Sequence, residues 1–376
     1  MFRPRPRLAR AQPRSTELST PLLALGLLIG GCTARKVPPS LPSAGESMAL
    51  GSPGPNMTRL VVGSCAKQTK EHPFWAPIMA TKADGLLLLG DNVYGDGSAD
   101  APSGPSLPEL RKAYRTLGEK PAYQAARQAM PFYTVWDDHD FGLNDQGGTF
   151  AHKEMAKAIF LDFWGAPPDD VRRTRPGIHR SWTLDHQVPG GEARTVQLIA
   201  LDTRSFRDDL RTGIFGRHYL PHTDSSTTML GEAQWAWLEE TLAEPADVRI
   251  LMSSIQLFDR SHVWERWDTM PHERARLMGL LQASGRVVIV SGDRHLGGIY
   301  REGDLYELTS SGLTQSLTRY TSGRREPDVD PLRVGPAVVE TNWGVIDLDW
   351  TANTIRLSLH DAEDGHTLQM VELSLL

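Results

Sequence analysis

"RVVIVSGDRH", residues 286–295, is an apolar, β-branched run that stops on Ser-Gly and then places Asp293, Arg294 and His295 side by side. Such a run reads as a β-strand that ends in a polar cluster. The same construction recurs along the chain. "RLVVGSC" (59–65) ends on Cys65, and "GLLLLGDNVY" (85–94) on Asp91, Asn92 and Tyr94. "FYTVWDDHD" (132–140) ends on Asp137, Asp138, His139 and Asp140, "VQLIALDTR" (196–204) on Asp202 and Arg204, and "RILMSSIQ" (249–256) on Gln256. Helical patterns lie between them. From Leu230 to Glu244, Trp235, Leu238 and Leu242 follow helical spacing, and Gly231-Glu232 opens the first turn. Alternating strands and helices predict an α/β fold with a largely parallel sheet, in which ligands sit beyond the carboxyl ends of the strands. Six strand ends then deliver six polar clusters to one rim.

Those clusters are rich in Asp, His, Cys and Tyr, and a metal site is the simplest common cause. In "WDDHD" three carboxylates crowd together, and they repel one another unless a cation lies among them. Other motifs carry less. "GDGSADAPSG" and "SGRREPDVD" lack a following Lys-Ser/Thr, so neither is a nucleotide-binding P-loop. "GDRHLGG" has the wrong glycine spacing for a dinucleotide site, and Ser253-Ser254 has no nucleophile-elbow frame. Trp235 fits a core helix face. Trp264 and Trp267, in the polar stretch "DRSHVWERWDTM", could line a pocket mouth.

The 376 residues are 40% hydrophobic and 23% charged, which is ordinary for a globular chain. Formal net charge is −6, and residues 1–31 hold five arginines against one glutamate, so the remainder is more acidic still. No basic surface for nucleic acid is evident.

Residues 1–31 read as an export signal. A basic "MFRPRPRLARAQPR" precedes the 11-residue apolar stretch "PLLALGLLIGG", too short for the ~20 residues of a bilayer span. Ile29-Gly30-Gly31-Cys32 resembles a bacterial lipobox, which implies cleavage, lipidation of Cys32 and an exported protein tethered at the cell envelope, periplasmic or outer-surface; the alternative is a soluble secreted protein. Residues 32–57 are rich in Pro, Ser and Gly, the composition of a flexible tether. A single domain is expected over 58–376, as a monomer. Of the two cysteines, lipidation of Cys32 would leave Cys65 as a lone thiol in an oxidising compartment, where burial or a metal would have to protect it.

"GSC", "LGDNVYGD", "WDDHDFGLND", "LDTRSFR", "SGDRH" and "YELTSSGL" occur in this order over residues 58–349 and together resemble the motifs of PhoD-like phosphatases, in the metallophosphatase superfamily. The resemblance implies a four-layer αββα sandwich of two mixed β-sheets with a dinuclear metal site at one edge. By position in those motifs, Asp91 would bridge both metals. Cys65, Tyr94 and His295 would complete a first site suited to Fe³⁺. Asp138 and Asp293 would complete an oxygen-rich second site suited to Ca²⁺, with Mg²⁺, Mn²⁺ or Zn²⁺ as alternatives. Whether Asp137 or Asp138 is the ligand stays open by one residue of register. His139 would act on substrate as the catalytic histidine, while Asn92, Asp137, Asn144, Gln256 and Arg294 would bind substrate or support the ligands. Arg204 reads as structural. The implied activity is hydrolysis of phosphate monoesters or diesters of small molecules by a hydroxide held between the metals. Alternatives are a phospholipid or phosphotriester hydrolase, or a non-catalytic metal-dependent binding lipoprotein.

Overall fold

The computed structural model describes residues 57–96, 104, 106–213, 218–317 and 329–375. The export signal, Cys32 and nearly all of the tether lie outside the described residues.

All six strands read from the sequence form, but they divide between two sheets. The first contains β1 (Met57–Gly63), β2 (Gly85–Leu89) and β3 (Phe132–Val135), paired in parallel. The second contains β5 (Ala193–Ala200), β6 (Val248–Met252) and β7 (Val287–Ser291), also parallel. Six further strands complete them: β4 (Arg180–Gln187), β8 (Gly297–Glu302), β9 (Leu305–Ser310), β10 (Asn342–Asp349), β11 (Thr354–Asp361) and β12 (Thr367–Ser374). The strand orders are β12-β11-β10-β1-β2-β3 and β4-β5-β6-β7-β9-β8. Both sheets are mixed: β10, β11 and β12 join the first antiparallel to their neighbours, β4 joins β5 antiparallel, and β9 runs parallel to β7 but antiparallel to β8. The single largely parallel sheet is therefore corrected to two mixed sheets.

Side-chain alternation shows how the layers stack. In the second sheet, Leu198, Ala200, Ile250, Met252, Val288 and Val290 share one core cluster with Leu60, Val62, Leu87 and Val345 of the first. Their sequence neighbours Ile199, Leu251 and Ile289 belong to a separate cluster with Trp235, Leu238 and Leu242 of α6 (Gly231–Ala243) and Leu277 and Leu281 of α7 (Pro271–Ala283). Inner and outer faces of this sheet are thus both covered. The helices that follow the strands of the first sheet pack into the first cluster through Trp75, Ile78, Leu110, Leu117, Ala126, Ile159 and Phe160. They are α1 (Trp75–Ala80), α2 (Pro108–Gly118), α3 (Pro121–Ala129) and α5 (Lys153–Phe163); the four-residue α4 (Asp138–Phe141) caps β3. The result is helix, sheet, sheet, helix. Truncating a fully buried inner residue such as Ile250 to Ala would cost about 2–5 kcal/mol.

Glu273 of α7 ties the outer helices together by accepting from the Met229 backbone N–H at 2.7 Å and from Trp235 Nε1 at 2.9 Å. Trp235 is core, as its spacing indicated. Trp267 is also fully buried and donates to Ser253 Oγ at 3.0 Å, so it does not line a pocket mouth.

Candidate metal centre and active site

The two sheets meet at the carboxyl ends of β1, β2, β3 and β7. Two glycines allow the approach. Gly90 has φ +99°, and a Cβ there would lie 2.4 Å from Asp137 Cβ; one on Gly292 would lie 2.6 Å from Ser64 Oγ across the inter-sheet seam. The seam is closed by Leu313 N–H donating to Ser64 O and Thr314 N–H to Cys65 O, both at 3.1 Å.

Beyond these strand ends the backbone takes unusual conformations. Cys65, Asp91, Asp145, Asp293 and His295 all have positive φ, between 50° and 71°. Non-glycine residues adopt this region at a cost, and such strain clusters at functional sites. It turns each side chain off its strand toward one place.

Two triads result. Cys65, Asp91 and His295 have ligand atoms within 4.8 Å of one another, and so do Asp91, Asp138 and His139. Asp91 belongs to both. The Tyr94 hydroxyl lies 3.3 Å from His295 Nε2, bringing the phenol to the first triad, and its ring centroid lies 4.2 Å from that of His139 with the planes tilted by 34°. Asp293 joins neither triad but lines the same cleft, of about 550 Å³, with Asp91, Asp138, His139, Asn144, Arg294 and His295.

The two aspartates of the open register face different ways. Asp138 faces the cleft, its Oδ1 accepting the His139 N–H and its Oδ2 the Asp145 N–H, both at 2.7 Å. Asp137 turns inward to an ion pair with Arg204 and accepts Ser254 Oγ at 2.5 Å. Arg204 also meets Glu265 at 2.6 Å, and all three side chains are fully buried. Arg204 is therefore structural.

Two other supporting residues sit elsewhere than the motifs suggested. Asn92 donates to Val135 O at 2.8 Å and to Asp140 Oδ2 at 2.5 Å, bracing the ends of β2 and β3 instead of entering the cleft. Gln256 Nε2 donates to Thr309 Oγ1 of β9 at 2.9 Å, and its backbone carbonyl accepts from the Trp267 backbone N–H; it is not among the cleft-lining residues. Asn144 and Arg294 do line the cleft.

Two residues were passed over in the sequence. Asp96 pairs with His139 Nδ1 at 2.9 Å, orienting the ring. Asp145 lines the cleft, holds Asp138 through its N–H and accepts Tyr219 Oη at 2.6 Å. The second aspartates of "GDNVYGD" and "DFGLND" were the available signal.

The electrostatics are those of a site shaped for cations. Burial pushes the Cys65 thiol and the Asp91 and Asp293 carboxyls well above their ordinary values, and neighbouring carboxylates push the same way. Burial also opposes charge on Asp138, but His139, Arg204 and the Asp145 amide more than offset it and hold its carboxyl at about 2. Burial would lower His139; the charges of Asp138 and Asp91 and the bond to Asp96 outweigh it and raise the ring to about 11. Asp91 Oδ1 is buried with no hydrogen-bond partner among the described residues. An unpartnered buried carboxylate oxygen facing a thiol, a phenol, two imidazoles and two carboxylates fits a bound cation.

The sequence model of the PhoD-like phosphatases matches residues 190–309. Alkaline phosphatase D of Bacillus subtilis is 23% identical over 332 aligned positions, covering 77% of this chain. The chain resembles the PhoD-like phosphatases in both comparisons. It spans 55% of that relative's length. The matched segment of the PhoD-like model includes Asp293 and His295, while Cys65, Asp91, Asp138 and His139 lie upstream of it. Solved structures agree on the fold: GAP50, the anchor in the inner membrane complex of Plasmodium (TM-score 0.57, 13% identity, 85% of this chain and 89% of that one), and a purple acid phosphatase from yellow lupin seeds (TM-score 0.54, 10% identity, 85% and 54%).

Proposed function

We propose that this PhoD-like chain is a metal-dependent hydrolase of phosphate monoesters or diesters, in which water is activated at a dinuclear centre. The observation that supports the reading is that Asp91, whose Oδ1 is buried without a partner, belongs to both the Cys65–Asp91–His295 and the Asp91–Asp138–His139 clusters; in this reading His139 serves the substrate, and Asp293, which lines the same cleft, takes its place as a ligand. Cys65, Tyr94, His295 and Asp91 would hold one ion and Asp138, Asp293 and Asp91 the other; the soft donors of the first favour iron, the oxygen donors of the second a hard divalent ion such as Ca²⁺. When bound, such ions lower the pKa of water toward ~7 and neutralise phosphoryl oxygens.

The protein's own groups do the rest. Asp96 engages His139 Nδ1, which leaves Nε2 to hold a proton for the departing alkoxide. Arg294 lines the cleft with no ion-pair partner among the described residues, so its guanidinium is available to the phosphoryl oxygens as their charge grows. Asp145 fixes Asp138, and Ser311 accepts the His295 N–H at 2.8 Å. The complete ligand set and the oriented His139 favour catalysis over metal-dependent binding alone.

Export and lipid anchoring through Cys32 are part of the same proposal, as are a short tether and a single catalytic domain over 58–376. The test is a panel of monoesters, bis-esters, phosphotriesters and phospholipids, run with and without chelator. Chelator-sensitive hydrolysis of a simple phosphoester is expected; chelator-insensitive hydrolysis, or none, would count against the proposal.

A further inference from the structure

The segment 262–267 is held down along most of its length. His262, Glu265, Arg266 and Trp267 are buried, with Glu265 in ion pairs to Arg204 and to Arg207 at 2.6 and 2.8 Å. The backbone is pinned as well: Trp264 N–H donates to His262 Nδ1 at 3.2 Å, Arg266 Nη1 to Trp264 O at 2.9 Å, and Tyr219 N–H to Val263 O at 2.8 Å. From this fixed base the Trp264 ring is 53% exposed, and it lines the cleft that contains Asp91, Asp138 and His139. Leaving a tryptophan half in water forgoes much of the burial energy of the largest apolar side chain, and within the segment only Val263, 38% exposed, shares that exposure.

The remaining lining says what the ring could meet. A cleft of about 550 Å³ is far larger than a phosphoryl group needs and falls within the range of small-molecule sites. Its polar groups are concentrated in the ligand residues with Asn144, Asp145 and Arg294, whereas its apolar lining consists of Trp264 and Leu317. Arg294 is the only arginine or lysine among the described residues lining it, which suits a single phosphoryl group better than a polyphosphate.

We infer that Trp264 is a stacking platform for the organic part of the ester, and that the preferred substrates carry a planar aromatic or heteroaromatic ring. A sugar could also stack, but its hydroxyls would need polar partners that the apolar pair does not offer. The inference rests on the phosphoesterase reading above. The platform is coupled to that site through its base, since Glu265 beside it holds Arg204, which holds Asp137, the residue before Asp138.

The experiment compares wild type, Trp264→Ala and Trp264→Phe on 1-naphthyl phosphate, propyl phosphate and glucose 6-phosphate. Taking mutant-to-wild-type ratios for each ester cancels intrinsic leaving-group reactivity. Trp264→Ala should lower kcat/KM for the naphthyl ester about 3- to 10-fold, mostly through KM, leave the other two within about 2-fold, and Phe should restore most of the loss. An equal loss on all three esters, no loss on the naphthyl ester, or a loss confined to the sugar phosphate would overturn the inference. Binding separates it from the hydrolase reading. The metal-loaded wild type should bind 1-naphthylphosphonate more tightly than methylphosphonate, a preference that Trp264→Ala removes. If no ester is hydrolysed but this preference holds, the activity reading fails and the platform stands; if the preference is absent, the platform fails.

Discussion

Two clusters in this protein have the same composition, two aspartates and a histidine within 4.8 Å of one another: Asp91, Asp138 and His139 at the strand ends, and Asp361, Asp364 and His366 between β11 and β12. The first is largely buried and leaves a carboxylate oxygen without a partner. In the second the demand is met locally. Asp361 Oδ1 accepts the Glu363 N–H at 2.7 Å, and Asp364 Oδ1 accepts the His366 N–H at 2.9 Å and pairs with its Nδ1 at 2.6 Å, all in solvent. The hairpin residues have organised themselves into a turn. Composition alone does not mark a candidate metal site; only the first cluster adds burial and an unmet carboxylate oxygen to it.

The largest effect expected from probing this contrast is on His139. His139→Ala should reduce turnover by ~10²- to 10⁴-fold, the usual contribution of a positioned acid or base, while metal content stays near that of wild type. Kinetics and metal analysis on the same preparation check this, and concurrent loss of metal would move His139 from catalyst to ligand.

Arg204→Met should come next, acting on stability. It leaves the Asp137 carboxylate without its cation in a fully buried position and Glu265 with Arg207 alone, and breaking a buried pair in this way costs about 3–5 kcal/mol. Denaturant unfolding at neutral pH measures it. A cost below 1 kcal/mol would mean that the scaffold behind the first cluster is no firmer than a surface ion pair.

His360, near the hairpin but buried, gives a smaller and pH-dependent effect. It stacks on Trp343, and its two ring nitrogens lie 2.8 Å from Ser358 Oγ and 3.1 Å from Gly365 O. Burial lowers its pKa from 6.5 to about 4. The folded state therefore binds this proton less readily than the unfolded chain, so the contribution to stability is complete above pH 6.5 and is lost as pH falls toward 4. The difference corresponds to about 3 kcal/mol. His360→Gln should shrink the fall in stability between pH 7 and pH 4 by about that amount. An unchanged acid limb would contradict it.

The smallest effect belongs to the hairpin cluster. Asp364→Ala should leave metal content, turnover and the denaturant midpoint of unfolding at their wild-type values, as is usual for exposed positions.

What could be read from the sequence divides along the same line between burial and exposure. β1, β2, β5, β6 and β7 were legible because interior parallel strands are covered on both faces and need apolar runs, and β3, at the edge of its sheet, was legible from the short apolar run that precedes its aspartates. The half-exposed β4, "RSWTLDHQ", and β12, "TLQMVELS", carry a weaker alternating signal, and the split into two sheets depends on pairings such as Leu60 with Ile346, far apart in sequence, which periodicity cannot report. The two-sheet arrangement came from motif resemblance instead. At the candidate site, Cys65, Asp91, Tyr94, Asp138, Asp293 and His295 were legible as candidates because each lies in a polar cluster within a few residues of a strand end, while the ligand roles proposed for them came from motif resemblance. Asp96 and Asp145 were not, since their roles depend on loops that fold back onto His139 and Asp138. Asn92 and Gln256 look like site residues in sequence, yet neither lines the cleft, and their amide N–H groups are engaged by Asp140 and Thr309.

The central claim is that Asp91 is shared by two metal ions, and the metal-to-protein ratio of wild type beside a folded Asp91→Asn variant tests it most directly. Asparagine keeps the shape but removes the charge that both ions would share. The account predicts about two ions per wild-type chain, loss of both in Asp91→Asn, and loss of hydrolysis with them. A folded Asp91→Asn protein with wild-type metal content and wild-type turnover would contradict it.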